Sequence, residues 1–251
     1  MILCYHGVRA SFEPGISSIP ASRLSCQLDY LLASGFRAAD PYAAGASGPD
    51  LAVTLDDAYS SQVESWGELL ASRGFRATLF VPAAFVGAPV GWDYTGRRRQ
   101  HASWSQLSDW CRQGHAIGSH GMRHCDLRSQ SDLDLSMETS GSRKLLEDRL
   151  GVEVKHFSYP FGRFDERVVD RVREAGYAQA FTAWPHGVAD LPWTRPRVVV
   201  SMLDTPLSIE ARAQASMWGR VERGKQRIIT FWSGGTALRQ AWFQTMEKAA
   251  A

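Results

Sequence analysis

The feature that most constrains the fold is a helix-to-strand connection that occurs four times along the chain. Each copy runs from an amphipathic stretch through a glycine into an apolar run, as in LLASRGFRATLF and VREAGYAQAF. Such a glycine ends a helix in the left-handed conformation, and the apolar run after it forms a strand. The proposed helix-ending glycines are Gly35, Gly74, Gly114 and Gly176. Strands that alternate with helices predict a parallel sheet, either closed as a barrel or open and doubly wound.

The same reading places the elements along the chain. Strands are predicted near 1–5, 51–55, 77–81, 116–119, 156–159, 180–183, 196–200 and 227–231. Helices are predicted at about 22–34, 60–73, 105–113, 131–149, 165–175 and 208–219, with Ser131 as an N-cap. Neither a linker nor a low-complexity segment interrupts the alternation. We therefore expect one domain over residues 1–251.

Charge and cysteine content narrow the classes of partner. The net charge of +2 over 251 residues is too close to neutral to favour nucleic acid or a membrane surface. The 4 cysteines form no CxxC pair and read as isolated thiols. MILCYHGV has no signal-peptide pattern, and no apolar run reaches the length of a membrane span. The expectation is a cytoplasmic protein, and the sequence leaves its oligomeric state open.

Chemically reactive side chains follow the predicted strands. In parallel α/β folds such groups gather at the C-terminal ends of the strands. The residues found there are His6, Asp56, Asp57, His120 with His124, Pro160–Gly162, Trp184 and His186. Two histidines four residues apart are a weak signal alone, and one of them could equally be a surface residue while the other packs on its loop. A carboxylate beside two imidazoles is a common catalytic metal set, which suits zinc, and a second carboxylate is then free to take a proton.

Four stretches carry a resemblance to a known family. ILCYHGV, VTLDDAY, SHGMRHCDL and FSYPFGRFDE resemble, in order and spacing over about residues 1–200, the motifs of the polysaccharide deacetylases (NodB-homology domains, carbohydrate esterase family four). The resemblance implies a distorted, incomplete (β/α) barrel of the TIM-like, NodB type. It also implies metal-dependent removal of an N-acetyl group from an amino sugar.

The resemblance assigns roles residue by residue. Asp57, His120 and His124 match the metal ligands, and Asp56 matches the catalytic base. The N–H of Phe161 matches an oxyanion donor. In a branch that acts on poly-N-acetylglucosamine the general acid is a histidine of a Tyr-His pair, which Tyr5-His6 fits; His186 is the alternative acid. The predicted substrate contacts are Tyr159, Trp184 and His186, and Tyr159 fits the core equally well.

The chain departs from the family pattern at several positions. Ala58 stands where Gly is usual after the Asp pair, and Gly121 stands where a loop-bracing Ser or Thr is usual. Ser158 replaces the Arg that orients the base, so that partner is expected to be missing. The C-terminal Leu-x-x-His has no counterpart in RIITFWSGG.

The sequence therefore predicts a metal-dependent deacetylase that hydrolyses the N-acetyl amide of an amino sugar or N-acetylated glycoside. It is expected to be a hydrolase of carbon–nitrogen bonds other than peptide bonds, with a divalent metal, zinc by preference, as its cofactor. One alternative is a deformylase or other C–N amide hydrolase of the same fold acting on a small amide. The other is a catalytically degraded carbohydrate-binding module.

Overall fold

Short parallel strands and the helices between them make up the structure, a computed structural model that describes residues 1–9, 18–42, 48–89, 99–183, 193–213, 219–222 and 224. The strands are β1 (Ile2–Tyr5), β2 (Gly7–Arg9), β3 (Ser18–Pro20), β4 (Arg37–Ala38), β5 (Asp50–Leu55), β6 (Thr78–Val81), β7 (Ala116–Ser119), β8 (His156–Ser158), β9 (Gln179–Thr182), β10 (Thr194–Pro196) and β11 (Val198–Val199). The helices are α1 (Ala21–Ala33), α2 (Ser60–Ala71), α3 (Trp104–Arg112), α4 (Asp132–Ser136), α5 (Ser142–Leu150), α6 (Glu166–Glu174) and α7 (Pro206–Ala213).

The main sheet curls into a nearly closed barrel. Its strand order is β10-β9-β8-β7-β6-β5-β1-β11, with every neighbouring pair parallel. The outermost strands β10 and β11 are separated in the chain by the single residue Arg197. The two edges of the sheet are thus joined through one residue, and the predicted distorted (β/α) barrel is confirmed.

The helix-ending glycines and the buried helix faces follow the predicted pattern. Gly35, Gly74, Gly114 and Gly176 all have left-handed φ values, between +78° and +93°, which side chains other than glycine rarely adopt. Apolar residues three and four positions apart line the buried face of each helix, as Leu24, Leu28 and Leu31 do on α1. Together with the outward faces of the strands they form one continuous core.

Two predicted elements are interrupted in the structure. The predicted strand 196–200 breaks at Arg197, where the chain passes from β10 to β11. The predicted helix 131–149 begins as expected, with the Ser131 hydroxyl accepting a hydrogen bond from the N–H of Asp134 (3.1 Å). It then contains one turn of π-helix, Met137–Gly141, between α4 and α5. This turn buries Glu138 completely.

The barrel interior is filled by its own small cluster of side chains. Ile2, Ala52, Phe80 and Phe181 are fully or almost fully buried there. Gly118 on β7 gives the Phe80 ring its space, because a Cβ at that position would lie 2.4 Å from a ring carbon. The interior is therefore packed, and the reactive side chains collect above it, at the C-terminal ends of the strands.

Some predictions fall outside the described residues, namely the strand at 227–231 and part of the helix at 208–219. Within the described ranges, no helix combines the length and the apolar character that crossing a bilayer requires.

Candidate active site

Three predicted metal ligands meet at the strand ends. Asp57 follows β5 and His120 follows β7, while His124 lies in the loop beyond. The His124 Nε2 lies 3.4 Å from Asp57 Oδ1, and the His120 Nε2 lies 3.9 Å from the same oxygen. All three side chains are buried. One ligand atom from each lies within 4.8 Å of the others.

The protonation and spacing of this trio suit a divalent ion. The backbone oxygen of Ser158 accepts a hydrogen bond from His120 Nδ1 (2.8 Å), so the Nε2 lone pair faces the cluster. Burial lowers the pKa of both His120 and His124, which keeps both imidazoles neutral. Within the described chain, Asp57 Oδ1 is buried without a hydrogen-bond donor. Ligands about 2.0–2.2 Å from a tetrahedral zinc ion lie about 3.3 Å apart, close to the shorter of the two observed separations.

The backbone of the cluster is held in a conformation that costs free energy. Among the described residues, the non-glycine residues with positive φ are Asp57 (72°), Ala58 (50°), His124 (52°) and Phe161 (58°), and all four lie at this site. Such conformations persist only where surrounding contacts enforce them, and they concentrate at functional sites. The glycine that the family usually has at position 58 would remove part of this cost.

Hydrogen bonds from two other segments hold the Asp56–Ala58 turn. The His101 ring donates from Nδ1 to the backbone oxygen of Asp57 (2.7 Å), and the Ala102 N–H donates to that of Ala58 (2.8 Å). The buried amide of Gln62 donates from Nε2 to the backbone oxygens of both His6 (2.7 Å) and Asp56 (2.9 Å). His101 therefore lies against the backbone of a candidate metal ligand.

A buried arginine replaces the base partner that the sequence was expected to lack. Arg197 donates from Nη1 to Asp56 Oδ1 (2.7 Å) and from Nη2 to Asp56 Oδ2 (2.8 Å). Its Nη2 also donates to the Ser158 hydroxyl (2.8 Å), at the position where the family usually has its own arginine. The expectation of a missing partner was therefore wrong. The signal in the sequence was a charged residue inside the predicted strand 196–200.

This ion pair fixes the charge state of Asp56. Burial by itself would raise the pKa of that carboxyl, but Arg197, followed by His120 and His6, outweighs burial and holds the pKa well below its usual range. Among the described residues, no arginine forms such a pair with Asp57. Burial raises the pKa of Asp57 to about 6, and the neighbouring Asp56 adds to the rise. The two adjacent carboxylates are therefore different, one stably ionised and one in need of a cation.

The candidate general acid lies beside the candidate base. The His6 Nε2 is 3.8 Å from Asp56 Oδ2, and its Nδ1 is 3.9 Å from Cys4 Sγ. The His6 side chain is 26% exposed, so it can exchange protons with solvent. Phe161 lies on the opposite flank of the trio, its ring centroid 4.7 Å from that of His124. The roles of His6 as acid and of the Phe161 N–H as oxyanion donor stay predictions.

Of the three predicted substrate contacts, the structure describes one, Tyr159. Tyr159 is 1% exposed, with its ring stacked 4.5 Å from that of Phe164 and its hydroxyl 3.4 Å from that of Thr194. Its ring packs in the core, which the sequence had left as an equal alternative, and its role as a substrate contact stays a prediction. Trp184 and His186 lie outside the described residues.

Fold and cluster together describe a barrel protein with a candidate metal centre. The model of the family "Polysaccharide deacetylase" matches residues 44–180, more than half of the chain. The chain belongs to this family of hydrolases that act on carbon–nitrogen bonds, and the resemblance seen in its motifs is confirmed.

Two known proteins are similar to this chain in sequence. The chain is 22% identical over 192 residues to YxkH of Bacillus subtilis (strain 168), whose name describes it as a polysaccharide deacetylase. The match covers 73% of this chain and 64% of YxkH. It is 30% identical over 184 residues to a gellan lyase of a Bacillus species, covering 70% of this chain and 6% of that protein. This chain thus corresponds to less than two thirds of the length of either relative.

Solved structures share the fold. The deacetylase PplD of Streptococcus pyogenes, solved with acetate, has a TM-score of 0.71 at 15% identity, with 85% of this chain and 97% of that chain covered. IcaB of Ammonifex degensii has a TM-score of 0.70 at 24% identity, with 85% and 96% covered. BC0361 of Bacillus cereus has a TM-score of 0.70 at 20% identity, with 85% and 68% covered.

A double-mutant cycle tests the Arg197–Asp56 pair. Arg197→Met leaves Asp56 buried without its cation and is expected to lower the free energy of unfolding by about 3–5 kcal/mol. In the double variant Asp56→Asn/Arg197→Met most of that loss is expected to return, because neither charge remains. Chemical denaturation measures both. The matched control is Arg167→Met, which breaks an exposed pair with Asp132 and should cost less than about 1 kcal/mol. Additive losses in the cycle would contradict the coupling.

The raised pKa of Asp57 predicts a pH-dependent stability of the metal-free protein. In the unfolded chain Asp57 ionises near pH 4, whereas in the metal-free fold it ionises at about 6. Between these two pH values the folded protein binds the proton more tightly than the unfolded chain does. The free energy of unfolding of the metal-free protein therefore falls as the pH rises from 4 to 6. Metal-free Asp57→Asn is expected to exceed the wild type in stability by about 3 kcal/mol at pH 8 and to match it at pH 4. Asparagine also tolerates the left-handed backbone at this position.

Added zinc is expected to reverse the order at pH 8, because it stabilises only the protein that binds it. Urea unfolding with chelator and with zinc measures both effects. A metal-free Asp57→Asn protein that is less stable than the wild type at pH 8 would contradict the prediction.

Proposed function

We propose that the protein is a metal-dependent deacetylase that hydrolyses the N-acetyl amide of an amino sugar or N-acetylated glycoside. The observation that supports this most is the division of labour between two adjacent carboxylates. Asp57 faces two neutral imidazoles, while Asp56 is held ionised by a buried arginine. Metal-dependent hydrolysis of an amide uses both features, a Lewis acid for the carbonyl and a fixed base for the water.

Asp57, His120 and His124 would hold the ion. When bound there, a divalent ion would supply Lewis acidity, which would polarise the acetyl carbonyl and lower the pKa of water at the site. Zinc fits two imidazoles and one carboxylate, with a position left open for water and substrate.

Asp56 would act as the general base. Its Oδ2 lies 3.9 Å from the Nε2 of His120, so this oxygen is beside a candidate metal ligand. The two bonds from Arg197 fix the plane of the carboxylate and prevent its protonation at neutral pH. Asp56 can therefore accept a proton from the attacking water in a constant orientation, which is the geometric requirement for a base.

His6 and Phe161 would complete the reaction. The amide nitrogen leaves poorly as an anion, so it must be protonated as its bond to the acetyl carbon breaks. His6, protonated, would give that proton, and the products are acetate and the free amine. The Phe161 N–H would donate to the oxygen that gains negative charge as water adds.

Replacing each carboxylate separately tests the division of labour. Asp56→Asn is expected to keep the metal while acetate release falls by about 10²–10⁴-fold, the usual contribution of a general base. Asp57→Asn is expected to lose metal and activity together. Metal analysis of protein purified without chelator and an acetate assay measure the two quantities. Asp29→Asn, which alters an aspartate on exposed helix surface, is the control and should change neither. Identical behaviour of the two site variants would refute the proposed roles.

The same assay distinguishes the competing functions. Acetate release should be measured on acetylated mono- and oligosaccharides, lipid-linked acetylated sugars and chitin-like polymer, with N-formyl amides alongside. Formate release alone would transfer the assignment to a deformylase. Metal binding without any hydrolysis would favour a binding module, although such a module needs neither the metal ligands nor the arginine-held base.

A further inference from the structure

The segment between the two candidate histidine ligands lacks the brace that the family usually has. Gly121 stands where a serine or threonine hydroxyl is usual, and its φ is +78°. Three residues later His124 adopts φ +52°, which costs about 1–2 kcal/mol for a residue with a side chain. Some other group must therefore hold this loop in its observed shape.

One group that does so is Glu138, whose side chain is completely buried. Its Oε2 accepts hydrogen bonds from the backbone N–H groups of Met122 (2.7 Å) and Arg123 (3.0 Å). Its Oε1 accepts one from Arg123 Nε (2.7 Å). Glu138 thus holds the two residues immediately before His124.

The π-turn at Met137–Gly141 carries Glu138 inward. It inserts one extra residue into an otherwise regular helix and so shifts the phase of the residues on it. The Ser142 hydroxyl donates to the backbone oxygen of Glu138 (2.6 Å), which closes the widened turn. A Cβ at Gly121 would lie 2.9 Å from Glu138 Oε2. Glycine at 121 and glutamate at 138 therefore fit each other sterically.

We propose that Glu138 is a positioning residue of the candidate metal site, acting through His124. Its carboxylate replaces the hydroxyl brace and holds the loop so that His124 Nε2 stays 3.4 Å from Asp57 Oδ1. This inference rests on the proposed function, because it assumes that the trio binds a divalent ion. Groups that orient metal ligands typically change affinity by about 10–100-fold when they are replaced.

The same helix supplies a matched control. Glu147 on α5 accepts a hydrogen bond from the backbone N–H of Val154 (2.9 Å) and another from Arg143 Nε (3.0 Å). It makes the same kinds of bond as Glu138, but to a segment that carries no candidate ligand. Glu147→Gln therefore reports the structural cost of losing such a carboxylate.

The test measures zinc affinity on the folded metal-free protein by competition with a chromophoric chelator. Glu138→Gln is expected to weaken zinc binding by about 10–100-fold and to alter the visible absorption of the cobalt-substituted protein. Glu147→Gln should leave both unchanged within about twofold. Thermal unfolding of each metal-free variant separates loss of fold from loss of ligand geometry. Glu138→Asp, which keeps the charge, carries the same comparison if Glu138→Gln does not fold, and it should also weaken binding.

Two results would overturn the inference and point to different failures. Wild-type zinc affinity and an unchanged cobalt spectrum in a destabilised Glu138 variant would make the residue merely structural, with the proposed function intact. A wild-type protein that binds neither zinc nor cobalt would remove the proposed metal site itself, and this inference with it.

Discussion

The bidentate pair between Arg197 and Asp56 is the interaction on which the rest of the site depends. Two adjacent carboxylates repel each other, and burying them together is expensive unless each finds a cation. Arg197 is 1% exposed and gives Asp56 its cation within the protein itself. Within the part of the chain that the structure describes, Asp57 has no comparable partner, and burial raises its pKa to about 6. The fold thus neutralises one charge and leaves the other available for a ligand.

The same arginine sits where the barrel closes. Its backbone N–H donates to the backbone oxygen of Thr182 (3.0 Å), at the end of the pairing between β10 and β9. The next strand, β11, pairs with β1. Its guanidinium lies 5.1 Å above the Phe80 ring, on top of the packed interior. Closure of the sheet and charge compensation of the base therefore depend on one position. A change there acts on folding and on chemistry together, which is why the double-mutant cycle is needed to separate them.

Local patterns made the fold and the grouping of the candidate metal ligands predictable, because their information lies in short stretches. Helix-ending glycines and apolar periodicity act within a few residues, and Asp57, His120 and His124 each lie shortly after the end of a strand. Arg197 escaped prediction because its partner is 141 residues away and the pairing exists only once the barrel closes. Glu138 escaped it because a π-turn shifts the helix out of the regular period that the prediction assumed. For Tyr159 the local sequence could not separate core from pocket, and the ring packs in the core.

The backbone strain and the charge at the site both indicate that a bound cation would stabilise the fold there in addition to serving the proposed reaction. Asp57 and His124 hold unfavourable backbone conformations, each costing about 1–2 kcal/mol. Hydrogen bonds from His101 and Glu138 offset part of that cost. They leave the charge of Asp57 uncompensated, however, in a pocket where both imidazoles are neutral. A cation bound there would supply for Asp57 what Arg197 supplies for Asp56, so the metal-free site should be the part of the barrel that gains most from ligand binding.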